Sequence, residues 1–288
     1  MKVGMTLEGG GMRGMYTAGA LDTFLEAGIT VDAMVGVSAG ALFGVNFLSR
    51  QSGRVIRYNK RFNADPNYMG LRPLLREGNI VSTLYAYQAV PYTLDPFDDA
   101  RFRASGVPFY AVLTEVETGE PAYIRVRSVF AQMDVLRASG SLPFVSRPVT
   151  IGEKQYLDGG ISDSIPFRWM ESQGCEKQLV ILTRDENYRK GPMPQAAVKL
   201  AYRRHPRLAQ RMLRRHVEYN QALEELKEWE KTGKALVLRP SQPIQIGRTE
   251  KDPEKLQAVY DLGRADAQRR LPEIQNYLKY KEKPPRSF

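Results

Sequence analysis

Within the first forty-eight residues, two short apolar runs each end in a glycine-rich turn and pass directly into a helix-like segment. Lys2–Leu7 runs into Gly9-Gly10-Gly11-Met12-Arg13-Gly14, and the Met15–Ala27 segment that follows has helical spacing at Tyr16, Ala20, Phe24 and Ala27, with Gly28 as its stop. Val31–Val37 is too short for a helix and reads as a second strand. It turns through Gly36-Val37-Ser38-Ala39-Gly40 into a buried helix over Ala39–Leu48. The order strand, helix, strand, helix predicts a parallel sheet, because parallel neighbours need a crossover and a helix is the usual one.

The remainder fits the same class. Residues 50–106 carry prolines, basic residues and aromatics and predict short helices lying over the sheet; Tyr68, Leu71, Leu74, Leu75, Tyr85, Tyr87, Tyr92 and Phe97 read mostly as core, with an acyl pocket or lid as the alternative. Phe109–Val116 and Ala122–Val126 flank a turn at Glu117-Thr118-Gly119-Glu120, and Pro148–Leu157 turns at Gly152-Glu153. Gln178–Thr183 and Ala235–Leu238 are further strands, and Pro206 to Lys231 is a long helix before Gly233. The expected architecture is α/β, a mainly parallel central sheet flanked by helices over residues 1–185. A basic, mainly helical C-terminal region over 186–288 is expected to pack on the same unit and to add one strand near 235–239.

A hydrophobic content of 42% excludes wholesale disorder, and no apolar run approaches the eighteen residues of a membrane span. The N-terminus lacks the apolar stretch of a secretion signal. One cysteine, Cys175, and two histidines, His205 and His216, leave little material for a zinc site, and no acidic cluster has calcium-loop spacing. A cytoplasmic protein without metal or other cofactor is expected. Residues 1–185 carry 19 basic and 19 acidic side chains, so the whole net charge of +10 falls on 186–288. Residues 199–215 hold seven basic side chains and no acid, which suits peripheral contact with an anionic membrane. A solvated helix face is the plainer reading. Nothing there matches a nucleic-acid reader, and none is expected as a partner.

The glycine loop has two chemical readings. Gly9–Gly14 fits the dinucleotide fingerprint, but the second strand ends at Val35-Gly36-Val37-Ser38, without the acid that would hold a ribose. Alternatively, the amides of Gly9–Gly11 form an oxyanion hole. A nucleophile would then be needed beside them, and Gly36-Val37-Ser38-Ala39-Gly40 is a G-x-S-x-G elbow. Adjacent parallel strands bring both loops to one edge of the sheet, where the helix starting at Ala39 directs its free amides.

A serine nucleophile needs a base. His205 and His216 are flanked by arginines, and His216 falls on an apolar helix stripe, so both read as structural or surface residues. Tyr156-Leu157-Asp158-Gly159-Gly160 offers a carboxylate at a strand end. An exposed aspartate, with a pKa of about 3.9, is a weak base, and a water-poor pocket would raise it. Taken alone, Asp158 reads better as the closing residue of an Asp-Gly turn.

Together the Gly9–Gly14 loop with its basic Arg13, the Gly36–Gly40 elbow, Asp158-Gly159-Gly160 and Ala138-Ser139-Gly140-Ser141-Leu142-Pro143 resemble the patatin-like phospholipase family over roughly residues 1–185. The resemblance implies a serine acyl hydrolase of lipid or fatty-acyl esters with a Ser38–Asp158 dyad. Its oxyanion hole would be made by Gly10 and Gly11, joined by Ala39, with Gly9 and Gly14 in the loop and Arg13 supporting the loop or the charge. Acyl transfer by the same dyad, and a non-catalytic lipid- or dinucleotide-binding protein, are the alternatives.

Overall fold

In β1 (Lys2–Leu7) and β2 (Ala33–Val37), every residue but Lys2 is buried. Such continuous apolar runs belong to strands covered on both faces. A computed structural model of the chain describes residues 1–279; residues 280–288, the end of the region expected to be helical, lie outside the described residues. Between the two strands runs α1 (Met15–Glu26), and β2 leads into α2 (Ala39–Leu48). The second strand starts two residues later than its apolar run suggests. Asp32 instead closes the end of the sheet, its carboxylate accepting the Val3 N–H at 2.7 Å.

Residues 50–106 form α3 (Arg54–Phe62), α4 (Leu71–Glu77), a wide π-type helix over Tyr85–Leu94 and α5 (Asp99–Ala104). Pro91 lies inside the π-type segment, where its missing N–H is incompatible with a regular α ladder. The hairpin of β3 (Phe109–Glu115) and β4 (Pro121–Val126) follows, then α6 (Met133–Ser139), β5 (Val149–Ile151) and β6 (Lys154–Asp158). The chain continues through α7 (Phe167–Ser172), β7 (Cys175–Ile181), α8 (Gln195–Ala201), α9 (Pro206–Lys231), β8 (Ala235–Leu238) and α10 (Pro253–Lys279). β7 begins three residues earlier than expected, its first residue Cys175 buried against α7.

The strands form one sheet in the order β5-β6-β3-β2-β1-β7-β8, with β4 on the other edge of β3. β1 pairs in parallel with β2 and β7, as do β2 with β3 and β7 with β8; β3, β4, β5 and β6 pair antiparallel among themselves. The sheet is therefore mixed and mostly parallel, flanked by helices. Alternate residues divide its core. Leu179 and Ile181 face the side of α1 and α10, while Val180 faces α9 with Tyr219, Leu226 and Trp229.

One detail of register positions the chemistry. β4 occupies one edge of β3 throughout, so β2 and β6 share the other edge end to end. Val37 pairs with Val112, and Asp158 pairs with the next residue, Leu113. The residue leaving β2 and the last residue of β6 thus meet at a single point, although 120 positions separate Ser38 from Asp158.

The C-terminal region is joined closely to this sheet. α10 crosses α1 at two glycines: a Cβ on Gly19 would lie 2.0 Å from the Tyr260 carbonyl oxygen, and one on Gly263 would lie 2.1 Å from that of Tyr16. Tyr16 donates to Asp266 at 3.2 Å, and Tyr260 donates to Asp22 at 2.7 Å. No helix among the described residues is long and apolar enough to cross a membrane.

Candidate active site

Ser38 occupies the turn between β2 and α2 with φ 54° and ψ −122°, in the region where a side chain is rarely accommodated. Its neighbours make that turn sterically feasible. A Cβ on Gly36 would come within 2.6 Å of the Gly40 carbonyl, and one on Gly40 within 2.5 Å of the Leu7 carbonyl oxygen. The Ser38 N–H donates to Ser139 Oγ at 3.0 Å, and Ser139 Oγ donates in turn to the Val112 carbonyl at 2.8 Å. The Ser38 carbonyl accepts from Ala41 and Leu42, so the elbow is fixed on both sides.

Ser38 Oγ donates to Asp158 Oδ2 at 2.6 Å, and the second carboxylate oxygen accepts the Gly160 N–H at 2.7 Å. The Asp158 backbone is also tied down, its N–H donating to the Ser141 carbonyl at 2.9 Å and its carbonyl accepting from Thr114 Oγ1 at 2.9 Å. Gly159 allows β6 to turn tightly, since a Cβ there would lie 2.1 Å from the Val112 carbonyl oxygen. Asp158 is buried, and burial pushes its carboxyl above the usual range; the Ser38 hydroxyl, the charge of Arg215 and the Gly160 N–H pull it back in part. A raised carboxylate beside a hydroxyl is a better proton acceptor than a surface aspartate.

Gly9, Gly10 and Gly11 border the same cleft as Ser38. A Cβ on Gly9 would sit 2.8 Å from that of Ser38, so the loop approaches the serine as closely as glycine permits. Gly11 has φ +57°, and the Met12 N–H donates to the Arg248 carbonyl at 3.0 Å, anchoring the loop to a segment far along the chain. The N–H groups of Gly9, Gly10 and Gly11 have no hydrogen-bond partner among the described residues. As the first residue of α2, Ala39 contributes an N–H with no intrahelical partner. Gly14 lies apart, packed on Ala39 and the Phe43 ring, where a larger residue would push the glycine loop and α2 apart.

Arg13 is buried, its Nε has no partner, and its pKa is pushed down to about 10 by burial and by the nearby charge of Arg184. Glu8 is buried behind the loop, accepting from the Thr183 N–H at 2.6 Å and the Tyr219 hydroxyl at 2.7 Å. Ser139 is signalled only by its block in the family resemblance, and nothing along the chain marks the roles of Glu8, Arg215, Arg184, Lys190 and Arg248. Lys190, Arg215 and Arg248 come from the basic region and Arg184 from just before it, and distance along the chain hid all four.

Two clefts meet at Ser38. One is mostly apolar and is lined by Leu42, Tyr58, Tyr68, Val90, Phe97 and Leu136. It includes Tyr68, Tyr87 and Phe97 from the aromatic stretch expected to be mainly core, whereas Leu71, Leu75 and Tyr92 are exposed. The other is cationic, lined by Arg13, Arg184, Lys190, Arg215 and Arg248. Within residues 199–215, Arg211 is paired with Glu120 and Glu218, and Arg215 turns into the site; Lys199, Arg203, Arg204, Arg207 and Arg214 remain exposed. Among the described residues, no three His, Cys, Asp or Glu side chains are grouped to hold a metal.

Comparison with known proteins adds family and relatives. The model of the patatin-like phospholipase family matches residues 5–169, and a domain of unknown function (DUF6363) matches residues 205–279. Uncharacterized protein YjjU of Escherichia coli is 32% identical over 188 residues, covering 63% of this chain and 52% of that protein. Lysophospholipase nte1 of Aspergillus fumigatus is 28% identical over 176 residues, covering 60% of this chain but 11% of its own. The match thus spans about half of the first relative and a small part of the second. VipD from Legionella pneumophila aligns with a TM-score of 0.49 at 12% identity, covering 94% of this chain and 67% of that one.

Proposed function

Because the chain belongs to the patatin-like phospholipase family, we propose that it is a serine acyl hydrolase of lipid esters working through a Ser38–Asp158 dyad. The observation that carries this reading is the 2.6 Å hydrogen bond from Ser38 Oγ to Asp158 Oδ2 at the mouth of an apolar cleft. The serine oxygen attacks the ester carbonyl while Asp158 takes its proton. The negative charge that develops on the carbonyl oxygen is met by the free amides of Gly10 and Gly11, joined by Ala39, in a site already arranged for it. The C–O bond to the alcohol then breaks, and the proton held by Asp158 goes to the leaving oxygen. Water attacks the acyl-serine with Asp158 again as base, releasing the fatty acid and restoring Ser38. Arg13 supports the loop from behind.

Lipid esters are favoured because a largely apolar cleft opens directly at the nucleophile, and aliphatic chains are transferred into such a space at about 0.8 kcal/mol per methylene. We further propose that the protein is cytoplasmic and meets an anionic membrane through Lys199, Arg203, Arg204, Arg207 and Arg214, with exposed Leu200 among them. Each cation near such a surface contributes about 1 kcal/mol. Sedimentation with anionic and with neutral vesicles tests this face. Binding that ignores vesicle charge excludes it.

The dyad is tested by intact-mass measurement after exposure to a fluorophosphonate. A single adduct in the wild type, absent from Ser38→Ala, is expected. An adduct that persists in Ser38→Ala, or none in the wild type with detergent present, overturns the assignment.

A further inference from the structure

The second cleft shares Gly11, Ser38, Leu142 and Arg248 with the apolar one, so Arg248 stands at the junction of the two, and five cations line it: Arg13, Arg184, Lys190, Arg215 and Arg248. Its only carboxylates are Glu8 and Asp158. Both are engaged, Glu8 with Thr183 and Tyr219, Asp158 with Ser38 and Gly160. Among the described residues, none of the five cations makes an ion pair at 4 Å or less. Arg184 lies 4.2 Å from the Tyr188 ring and Lys190 4.2 Å from that of Tyr219, contacts that orient the cations without neutralising them. Arg215 makes only a long 3.4 Å bond to Ser164 Oγ.

Of the five, Arg13 is buried, Arg184, Lys190 and Arg215 are partly buried and Arg248 is exposed; two comparable cations elsewhere in the protein are paired. Arg54 is paired with Asp95 at 3.2 Å and bonded to Asn46, and Arg211, one helical turn before Arg215, is paired with Glu218 at 3.0 Å. An unpaired group of like charges is unfavourable in the empty protein. Burial followed by the charge of Arg215 brings Lys190 down to about 7, and burial likewise lowers Arg215. The forked guanidinium is the group best matched to phosphate oxygens. Four of the five cations lie beyond residue 169, outside the matched family segment.

We propose that this cleft is a phosphate site, and that it takes the phosphorylated alcohol of an acyl ester whose chain lies in the apolar cleft. This inference rests on the acyl-hydrolase reading. A phosphate monoester supplies up to two negative charges to the cluster, whereas a phosphocholine headgroup supplies one from its phosphodiester and brings a sixth cation with it. The preferred substrate is therefore an acylglycerol phosphate or a soluble ester of the same chemistry.

Two measurements separate the site from the reading beneath it. The first is binding of glycerol 3-phosphate to the Ser38→Ala protein by calorimetry, with glycerol as control. Binding that weakens at least tenfold in Ser38→Ala/Lys190→Met and Ser38→Ala/Arg248→Ala is expected; absence of binding overturns the site whatever the enzyme does. The second compares kcat/KM of the wild type for 1-oleoylglycerol phosphate and 1-oleoylglycerophosphocholine in identical mixed micelles. A preference of tenfold or more for the monoester is expected, shrinking in Arg248→Ala. Equal rates overturn the substrate assignment, and the absence of any turnover or fluorophosphonate adduct overturns the hydrolase reading itself. Monomeric 1-hexanoylglycerol phosphate provides a third arm: if it is turned over as fast as the oleoyl ester, the source is a soluble ester, and if only the oleoyl ester reacts, it is a lipid.

Discussion

The backbone N–H of Ser38 donates to the side chain of Ser139, so the proposed nucleophile is held by a residue 101 positions away at the end of α6. The same short segment supplies the Ser141 carbonyl that receives the Asp158 N–H. One loop therefore sets the position of both members of the dyad.

Replacing Ser139 with alanine leaves a buried amide unsatisfied at a turn whose backbone is already strained. An unpaired buried donor costs about 1–3 kcal/mol. We expect Ser139→Ala to lower kcat about tenfold or more and to lower the melting temperature by a few degrees, with KM little changed. A variant whose kcat matches the wild type would show that the elbow holds itself without this bond.

Under the proposed mechanism, the acid limb of the pH profile is expected to report Asp158. Burial raises its carboxyl, so kcat/KM should fall with an apparent pKa above the ordinary value of about 3.9. The groups facing it are Ser38, Arg215, the Gly160 N–H and Arg248, and Arg215 holds the value down. Arg215→Gln should therefore move the limb to higher pH, and Arg215→Lys should bring it part of the way back. A limb that does not move separates Arg215 from the dyad.

The same burial sets a stability difference. A carboxyl whose folded pKa lies above its unfolded one contributes stability at low pH that is lost as pH rises through the folded value. Asp158→Asn removes this loss. Its melting temperature should equal that of the wild type near pH 4 and exceed it at pH 8, by about 2–4 °C for each kcal/mol gained, while hydrolysis is abolished. Thermal denaturation at the two pH values checks the sign.

Chain-length preference should follow the volume of the apolar cleft. Ala86 lines it and is only partly buried, so a larger side chain fills space instead of displacing core. If Ala86→Trp excludes four methylenes, about 3 kcal/mol of binding is lost, or roughly a hundredfold. Rates on p-nitrophenyl palmitate should fall by that order while those on the butyrate ester change little. An equal loss on both esters would place the acyl chain elsewhere.

The glycine crossing of α1 and α10 leaves no room for a side chain. Gly19→Val should cost about 3 kcal/mol, near the upper end for overpacking, and lower the melting temperature by about 6–12 °C. Trypsin digestion should then release α10 first. An unchanged melting temperature would mean that the helices can part without loss.

Much of this was legible in the chain because it is local. Strand, glycine turn and helix alternate within the first forty-eight residues, and a tight turn needs glycine whatever surrounds it. Pro206 at the first position of α9 and the hairpin at Glu117–Glu120 were equally readable. Residues whose role depends on placement were not. Arg215 and Arg211 lie one helical turn apart in the same basic stretch, yet one faces the dyad and the other a glutamate, a difference set by how α9 lies across the sheet. The π-type segment was illegible for another reason: its ten residues are shaped by packing around the apolar cleft, with Pro91 preventing a regular helix.

Ser38 stands where an apolar cleft and a cationic one join, and under the proposed hydrolysis that arrangement fixes an order of events. Once the ester is cut, its two halves lie on opposite sides of the serine. The polar half can depart while the chain stays covalently held, and the space it vacates is the wet side from which water reaches the acyl carbonyl. Cleavage and deacylation thereby become separate in time, so a pre-steady-state burst of alcohol ahead of free fatty acid is the kinetic trace such a divided site would leave.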